Sequence, residues 1–266
     1  MLISIITPSF NQAMFLERTI NSVITQDYSK FEFIIIDGQS TDETCTVIDK
    51  HIDKISYFLS EKDNGQSEAI NKGLLQSTGD IISYLNSDDV LLPGALRIVS
   101  NTFNREPHVD IIYGDYIIID DQDHVLNTKK EIAFDFNMAC MIGFGAIIPQ
   151  PATFIRRRIF ERVGAFREDL HYTMDADYWQ RAALAGAKFM HVPYFLAGFR
   201  SHCGSKTHSV DTNVMMYWQN EKEALLRQSY NQLWFSKIVP YPYSSFIRKF
   251  YRLKRVFKKL VKLRYF

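Results

Sequence analysis

Four strand-length apolar runs, ISII, FEFIIID, ISYFLS and DIISYL, alternate with stretches of helical spacing over the first 105 residues. This alternation constrains the fold more than any other feature. FEFIIID is apolar almost throughout, and a strand of that kind suits a parallel sheet covered on both faces. Helices flanking the sheet supply that cover. The intervening segments fit. Phe15, Thr19, Ser22, Val23 and Gln26 recur at helical intervals over about 14–26. Thr41 is the expected cap of a helix over about 42–52, with Thr44 at its third position. GQSEAINKGLLQSTG reads as a helix closed by Gly79, and Pro93 is expected to open the next one. The first strand is expected to end in a turn at Thr7-Pro8-Ser9.

After residue 105 the pattern changes. VDIIYGDYIIIDDQDHVLNTKK offers two or three extended segments, with turns expected at Gly114-Asp115 and Asp121-Gln122, and points to mixed or antiparallel pairing. Helices are expected from Asp175 to about Gly186, with Trp179, Ala182 and Ala183 inward, and from about Asp211 to Gln228. A chain of 266 residues, 46% hydrophobic, suits one large domain or one domain with an appendage. Cys45, Cys140 and Cys203 lie far apart and are odd in number, which reads as free thiols in a reducing compartment. MLISIITPSF carries no signal-peptide pattern, and no run approaches the roughly 20 apolar residues of a membrane span, so a cytoplasmic location is expected.

The net charge of +1 hides an asymmetry. FIRKFYRLKRVFKKLVKLRYF holds nine of the 31 basic residues, leaving 22 against 30 acidic ones in the rest, a formal net of −8. Within this segment Phe246, Phe250, Leu253, Phe257 and Leu260 recur at intervals of four and three, widened by Ile247, Val256, Val261 and Leu263. A cationic amphipathic helix over 244–266 is expected, of the type that lies on an anionic membrane surface. The alternatives are docking of the apolar stripe on the body or another subunit, and nucleic-acid binding, against which stand the acidic body and the lack of any nucleic-acid motif.

In open parallel sheets ligands bind beyond the carboxyl ends of the strands. Three strands here end in polar residues, at Thr7-Pro8-Ser9-Phe10-Asn11, at Asp37-Gly38-Gln39-Ser40 and at Asn86-Ser87-Asp88-Asp89. Adjacent carboxylates repel, and burying either one unpaired is costly, so Asp88-Asp89 at such an end points to a bound cation.

Six stretches in order over residues 3 to about 205, ISIITPSFNQ, FEFIIIDGQSTDET, DNGQSEAINKGL, GDIISYLNSDDVLLPGAL, QPATFIRRRIFERVGAF and TMDADYWQRAALAG, resemble the nucleotide-sugar glycosyltransferases of family 2. The resemblance implies an α/β GT-A fold, a Rossmann-type, mainly parallel sheet flanked by helices. It implies a catalytic domain over 1–207, with a nucleotide-binding half, 1–105, and an acceptor half, 106–207, followed by a helical extension over 208–266. It implies inverting sugar transfer from a nucleoside diphosphate donor, most commonly UDP, with Mn²⁺ or Mg²⁺. The acceptor would be a sugar or lipid-linked sugar and the setting surface polysaccharide or glycolipid synthesis; together with the cationic tail, this gives the inner face of the cell membrane as the expected place.

The resemblance also implies roles. Asp88 is the metal-binding carboxylate of a DxD-type motif whose first position is here Asn86; one or two carboxylates suffice for such ions in phosphate-transfer sites. Ser87 lies within the motif and Asp89 supports it; capping of the following helix is the alternative for both aspartates. Asp37 faces the base or ribose, with an Asx-type turn as the alternative, and Gly38 stands where many relatives have a second acid. Thr7, Pro8 and Ser9 floor the base, and Asp63 lies near the nucleoside unless it is only a turn residue before Gly65. Asp175 is the general base, with Met174 where relatives often have Glu; charge at a helix start is the alternative. Asp177 favours the helix N-terminus, Trp179 reads as core and Arg181 as an ion-pair partner. His202 is the candidate for closing over the diphosphate and for the metal, with Arg200, Ser205 and Lys206 nearby and a loop histidine without a ligand as the alternative; Gln150 is an acceptor or support residue, and His171 and His191 read as structure or surface.

Two rivals stand beside the transferase. A nucleotidyltransferase would carry a Gly-rich loop after the first strand, and TPSFNQAMF has no glycine. A non-catalytic nucleotide-sugar-binding protein of the membrane surface draws on Asn86 and Met174, where two acids are missing.

Overall fold

The computed structural model describes residues 1–205, 212–233, 236, 237, 241 and 245–264. Strands β1 (Ile3–Ser9), β2 (Phe31–Asp37), β3 (Tyr57–Ser60) and β4 (Ile81–Tyr84) run parallel in the order β3-β2-β1-β4, connected by α1 (Ala13–Ile24), α2 (Thr44–Asp49) and α3 (Gln66–Gln76). Then follow β5 (Val90–Leu91), α4 (Ala95–Arg105), β6 (Ile111–Ile119), β7 (Val125–Lys129), α5 (Phe136–Ile142), β8 (Thr153–Arg156), α6 (Arg157–Val163), α7 (Met174–Leu184), β9 (Phe189–Arg200), α8 (Thr212–Tyr230) and α9 (Ser245–Arg264). The sheet continues from β4 through β8, β6 and β9 to β5, with β7 on β6. β8 is antiparallel to β4 and β6, while β6 and β9 are parallel, so the second half is mixed, as expected.

The apolar run of β2 is explained by the two cores it separates. Phe33 and Ile35 face a core with Leu16, Ile20 and Val23 of α1 and Val99 of α4. Ile34 and Ile36 face the other, with Ile70 of α3 and Tyr178 and Trp179 of α7. Each side therefore removes a row of aliphatic side chains from water, about 1.5–3 kcal/mol for each full burial.

Local expectations differ from the structure at five points. β1 runs through Thr7-Pro8-Ser9 instead of turning there. Its odd-numbered residues bond β2 and its even-numbered ones β4, as Ser9 O accepts from Gly38 and Ile6 O from Leu85. β4 pairs only as far as Ile6, so the missing N–H of Pro8 faces an edge where no strand asks for it. Thr41 does not cap α2. Asp42 does that work, its carboxylate accepting the Thr44 N–H at 3.0 Å and the Ala13 N–H of α1 at 3.0 Å, while Thr41 N–H donates to Asn11. α3 ends at Gln76, before Gly79. The Gly79 N–H donates to Ser4 Oγ, and a Cβ there would lie 2.8 Å from the Ser4 nitrogen, so glycine serves close approach. α4 begins at Ala95, after Gly94, and not at Pro93. β6 runs through Gly114-Asp115, where the pairing with β9 shifts register, so a bulge replaces the expected turn. The turn at Asp121-Gln122 is present between β6 and β7.

The expected tail helix forms as α9, with an unexpected side inward. Lys254 and Lys258 pair with Asp135 at 3.1 and 3.2 Å, and Arg255 and Lys259 with Glu131 at 3.1 and 2.9 Å. Ile247 and Tyr251 pack on the core. Phe250, Leu253, Val256, Phe257 and Leu260 are 55–68% exposed. Docking of the apolar stripe on the body is thus limited to its edge. The side chains of Phe246 and Leu263 lie outside the described residues. Among the described residues no helix is long and apolar enough to cross a membrane.

Candidate active site

A cavity of about 880 Å³ opens at the carboxyl ends of β1, β2 and β4, where the strand order reverses direction between β1 and β4. This is the position at which open α/β sheets bind ligands. Pro8, Ser9, Gly38, Asp63, Asn86, Ser87 and Asp88 line one part of it; Gln150 and Asp175 also line it. Residues from strand ends 30 to 50 positions apart are therefore brought together.

The paired carboxylates are resolved by opposite orientation. Asp88 lines the cavity, and its Oδ2 lies 3.1 Å from His202 Nε2. Asp89 is turned inward and fully buried, its Oδ1 accepting the Arg200 N–H at 2.9 Å and its Oδ2 the Asn86 amide at 3.2 Å. Burial, reinforced by the charge of Asp88, pushes the Asp89 carboxyl well above the usual range. The loop is clamped from below through three successive carbonyls. The Thr19 hydroxyl of α1 faces Ser87 O at 2.9 Å and Asp89 O at 2.7 Å, and Arg200 Nε donates to Asp88 O at 2.7 Å. Arg200 is itself fully buried, paired with Asp123 and lying over the ring of Phe15. Asp89 is thus a support of the loop, and neither aspartate caps α4.

Asn86 has a reason to be an amide. It accepts from Gln66 Nε2 at 2.6 Å and donates to Gln150 Oε1 and Asp89 Oδ2, both at 3.2 Å, while Gln150 donates onward to Tyr84 O at 2.8 Å. An aspartate at 86 would lose the amide N–H groups that reach Asp89 and Gln150 and would add a further carboxylate beside Asp88 and Asp89.

Asp37 takes the Asx-type arrangement named as its alternative. Its carboxylate is fully buried and accepts from the Ser40 N–H and hydroxyl and from the Ser60 hydroxyl. Gly38 lines the cavity in its place, and a Cβ there would lie 2.8 Å from Asp63 Oδ2, so Asp63 fills the space of the missing second acid. Burial pushes the Asp63 carboxyl up, although the Gly65 N–H bonds it at 2.9 Å. Among the described residues the buried Thr7 and Ser9 hydroxyls have no hydrogen-bond partner, and Ser9 lines the cavity. A buried hydroxyl left unpaired costs on the order of 1–3 kcal/mol, which a polar ligand would relieve.

Asp175 stands at the start of α7, its Oδ1 accepting the Ala176 N–H at 2.7 Å. Desolvation pushes its carboxyl up to about 6, into the range useful for a base near neutral pH. Met174 is buried in the core, so the acid common at that position in relatives would here be desolvated. Asp177 is turned away from the cavity, pairing with Arg181 at 2.7 Å and Arg167 at 3.7 Å. Trp179 is core. Of the late loop, Ser205 lines the cavity and bonds His202 O, and Lys206 lies outside the described residues. His191 is structural, 2.7 Å from Asp115. His171, expected as structure or surface, lines the cavity, as do Gln66, Tyr172 and Trp218, to which the sequence gave no role. Only the neighbourhood of His171 and Tyr172 to Asp175 in the chain could have signalled two of them.

Among the described residues no three His, Cys, Asp or Glu side chains are grouped to hold a metal alone. Asp88 with His202 offers one carboxylate and one imidazole. That set fits Mn²⁺ or Mg²⁺ where phosphate oxygens and water complete the coordination.

The family model for glycosyl transferase family 2 matches residues 4–164. A glycosyltransferase of Rickettsia typhi is 29% identical over 232 residues, covering 84% of this chain and 70% of that protein. Glycosyltransferases of Rickettsia prowazekii and Rickettsia conorii are 31% and 30% identical, covering 67% and 80% of this chain and 57% and 37% of those proteins. Among solved structures, S. aureus TarS 1–349 in complex with UDP-GlcNAc has a TM-score of 0.67 at 17% identity, covering 89% of this chain and 73% of that one. The mannosyltransferase PcManGT from Pyrobaculum calidifontis, in complex with GDP-Man and Mn²⁺, has a TM-score of 0.59 at 16% identity, covering 97% and 84%. These two likenesses establish the fold.

Proposed function

The chain belongs to glycosyl transferase family 2, and on that basis we propose that it transfers a sugar from a nucleoside diphosphate donor to a hydroxyl acceptor with inversion at the anomeric carbon. The observation that carries this is one cavity lined by both Asp88, held outward by its clamped loop, and Asp175, whose desolvated carboxyl is tuned to about 6. In this reading residues 1–105 hold the nucleotide and 106–207 supply the base and the acceptor side.

The buried hydroxyl of Ser9 and the carboxylate of Asp63 receive the nucleoside, and UDP is the donor nucleotide we expect. Asp88 and His202 hold a divalent ion, which when bound supplies Lewis-acid stabilisation of the departing diphosphate. Asp175 takes the proton of the acceptor hydroxyl as the new bond forms. The anomeric carbon is attacked from the side opposite the diphosphate, so a single displacement inverts it and one base suffices. The test is release of nucleoside diphosphate from a panel of nucleotide sugars with Mn²⁺. We expect release from at least one donor, accelerated by an acceptor. Pyrophosphate release from a nucleoside triphosphate and a sugar phosphate would instead support a nucleotidyltransferase, and binding without release a non-catalytic protein.

We further propose that α9 lays its outward apolar stripe on the cytoplasmic face of an anionic membrane, which would bring the cavity to a lipid-linked acceptor. Four of its cations are engaged by Glu131 and Asp135, and this docking turns Phe250, Leu253 and Phe257 outward. Exposed Lys249 and Arg252 flank that stripe. The double variant Phe250→Glu/Phe257→Glu is expected to co-sediment with phosphatidylglycerol vesicles roughly tenfold less than the wild type, with an unchanged circular dichroism spectrum. Unaltered co-sedimentation would end the membrane reading.

A further inference from the structure

We infer that α8 builds an acceptor-sugar subsite, in which Trp218 and Tyr172 pack against the C–H face of an acceptor pyranose and Glu221 holds Tyr172 in place. This rests on the glycosyltransferase reading and specifies its acceptor side. α8 lies beyond the residues 4–164 that the family model matches. Even so, Trp218 enters the cavity that contains Asp175, as do Tyr172 and His171, just upstream of Asp175 in the chain.

Trp218 and Glu221 are three residues apart and share one face of α8. The Glu221 carboxylate accepts three successive backbone N–H groups, from His171, Tyr172 and Thr173, at 3.0, 2.9 and 3.1 Å, and faces the Thr173 hydroxyl at 3.2 Å. Residues 171–173 lead into α7, whose flanking residue Thr173 makes no side-chain cap of its own. Those N–H groups need acceptors, and a carboxylate 48 to 50 residues downstream provides them with charge-assisted bonds. Ser229 adds a second tie between the helices, donating to Gln180 at 2.6 Å. The main chain that carries Tyr172 is thereby held relative to Asp175, three residues further on. Lys222 lies 4.9 Å from the centre of the Trp218 ring, a cation–π contact that orients the indole.

The occupant follows from the chemistry of the walls. Flat aromatic faces match the axial C–H groups of a pyranose, whose rim of hydroxyls needs polar partners and, at one position, a proton acceptor. Asp175 is that acceptor. Glu221 is a positioning residue, acting on the sugar only through the segment it binds.

The subsite is tested by saturation-transfer NMR with methyl glycosides of glucose, galactose and N-acetylglucosamine, alongside UDP binding by calorimetry. We expect at least one glycoside to bind, about tenfold more weakly to Trp218→Ala and to Glu221→Gln, with binding largely restored in Trp218→Phe and UDP affinity unmoved in all three. A purely structural role for Glu221 would weaken UDP in step. The proposal is overturned if no glycoside binds, if Trp218→Ala binds as the wild type does, or if UDP affinity falls equally. Glycoside binding by a protein that releases no diphosphate would sink the transferase reading and leave the subsite standing; diphosphate release without glycoside binding would do the reverse.

Discussion

Asp175→Asn is expected to lower turnover by roughly 10²–10⁴-fold while leaving donor affinity within about twofold of wild type. Asparagine keeps the shape of the side chain, and its amide oxygen can still accept the Ala176 N–H that Asp175 Oδ1 accepts now. What it loses is the capacity to take a proton. The acceptor hydroxyl must then attack without a base, and the whole loss falls on the chemical step. The pH profile gives an independent check. Burial raises the Asp175 carboxyl to about 6, so the protonated, inactive form survives to a higher pH than for an exposed aspartate. The wild-type rate should therefore fall about tenfold per unit as pH drops below about 6, and the residual rate of the variant should lack that limb. Equal losses in donor binding and turnover, or an acid limb unchanged in the variant, would remove Asp175 from the mechanism.

Asp88→Asn should cost on the order of 10²–10³-fold in diphosphate release, the scale of several kcal/mol of lost charge stabilisation. The substitution is isosteric, and the side-chain partner identified for Asp88 is His202, so the loop should hold its form. The clamps that shape it act on the main chain, through Thr19 and Arg200. A second readout avoids activity altogether. Mn²⁺ together with UDP should raise the melting temperature of the wild type and not of Asp88→Asn, because ligands stabilise only the fold that binds them. If Mn²⁺ and UDP protect both proteins alike, the ion is held elsewhere.

Much of this site was readable in one dimension. The apolar runs located four parallel strands to within about three residues at each end, their polar ends gave Ser9 and Asp88 as cavity residues, and the family resemblance gave Asp63. The partners of Asp37 were not legible, because strand-end position says nothing about which hydroxyls will claim a carboxylate. Ser60, 23 residues away on β3, is one of them. The caps failed similarly. Thr41 had the right chemistry for α2, yet Asp42 reaches both Thr44 and the start of α1 and wins by making more bonds. Trp218 and Glu221 were illegible, since a helix-spaced aromatic or acid carries no mark of what it will meet 50 residues upstream.

Local patterning was enough for the alternating architecture, the rim where ligands gather and the amphipathic character of the last helix. These depend on spacing along the chain, and burying apolar side chains while pairing backbone groups leaves few other solutions. Which carboxylate of Asp88-Asp89 faces the cavity, and which side of α9 lies against the body, were settled by distant groups: Arg200 and Asn86 in one case, Glu131 and Asp135 in the other. A buried charge turns toward whatever donor the completed fold brings near, and that neighbour is not written beside it in the chain.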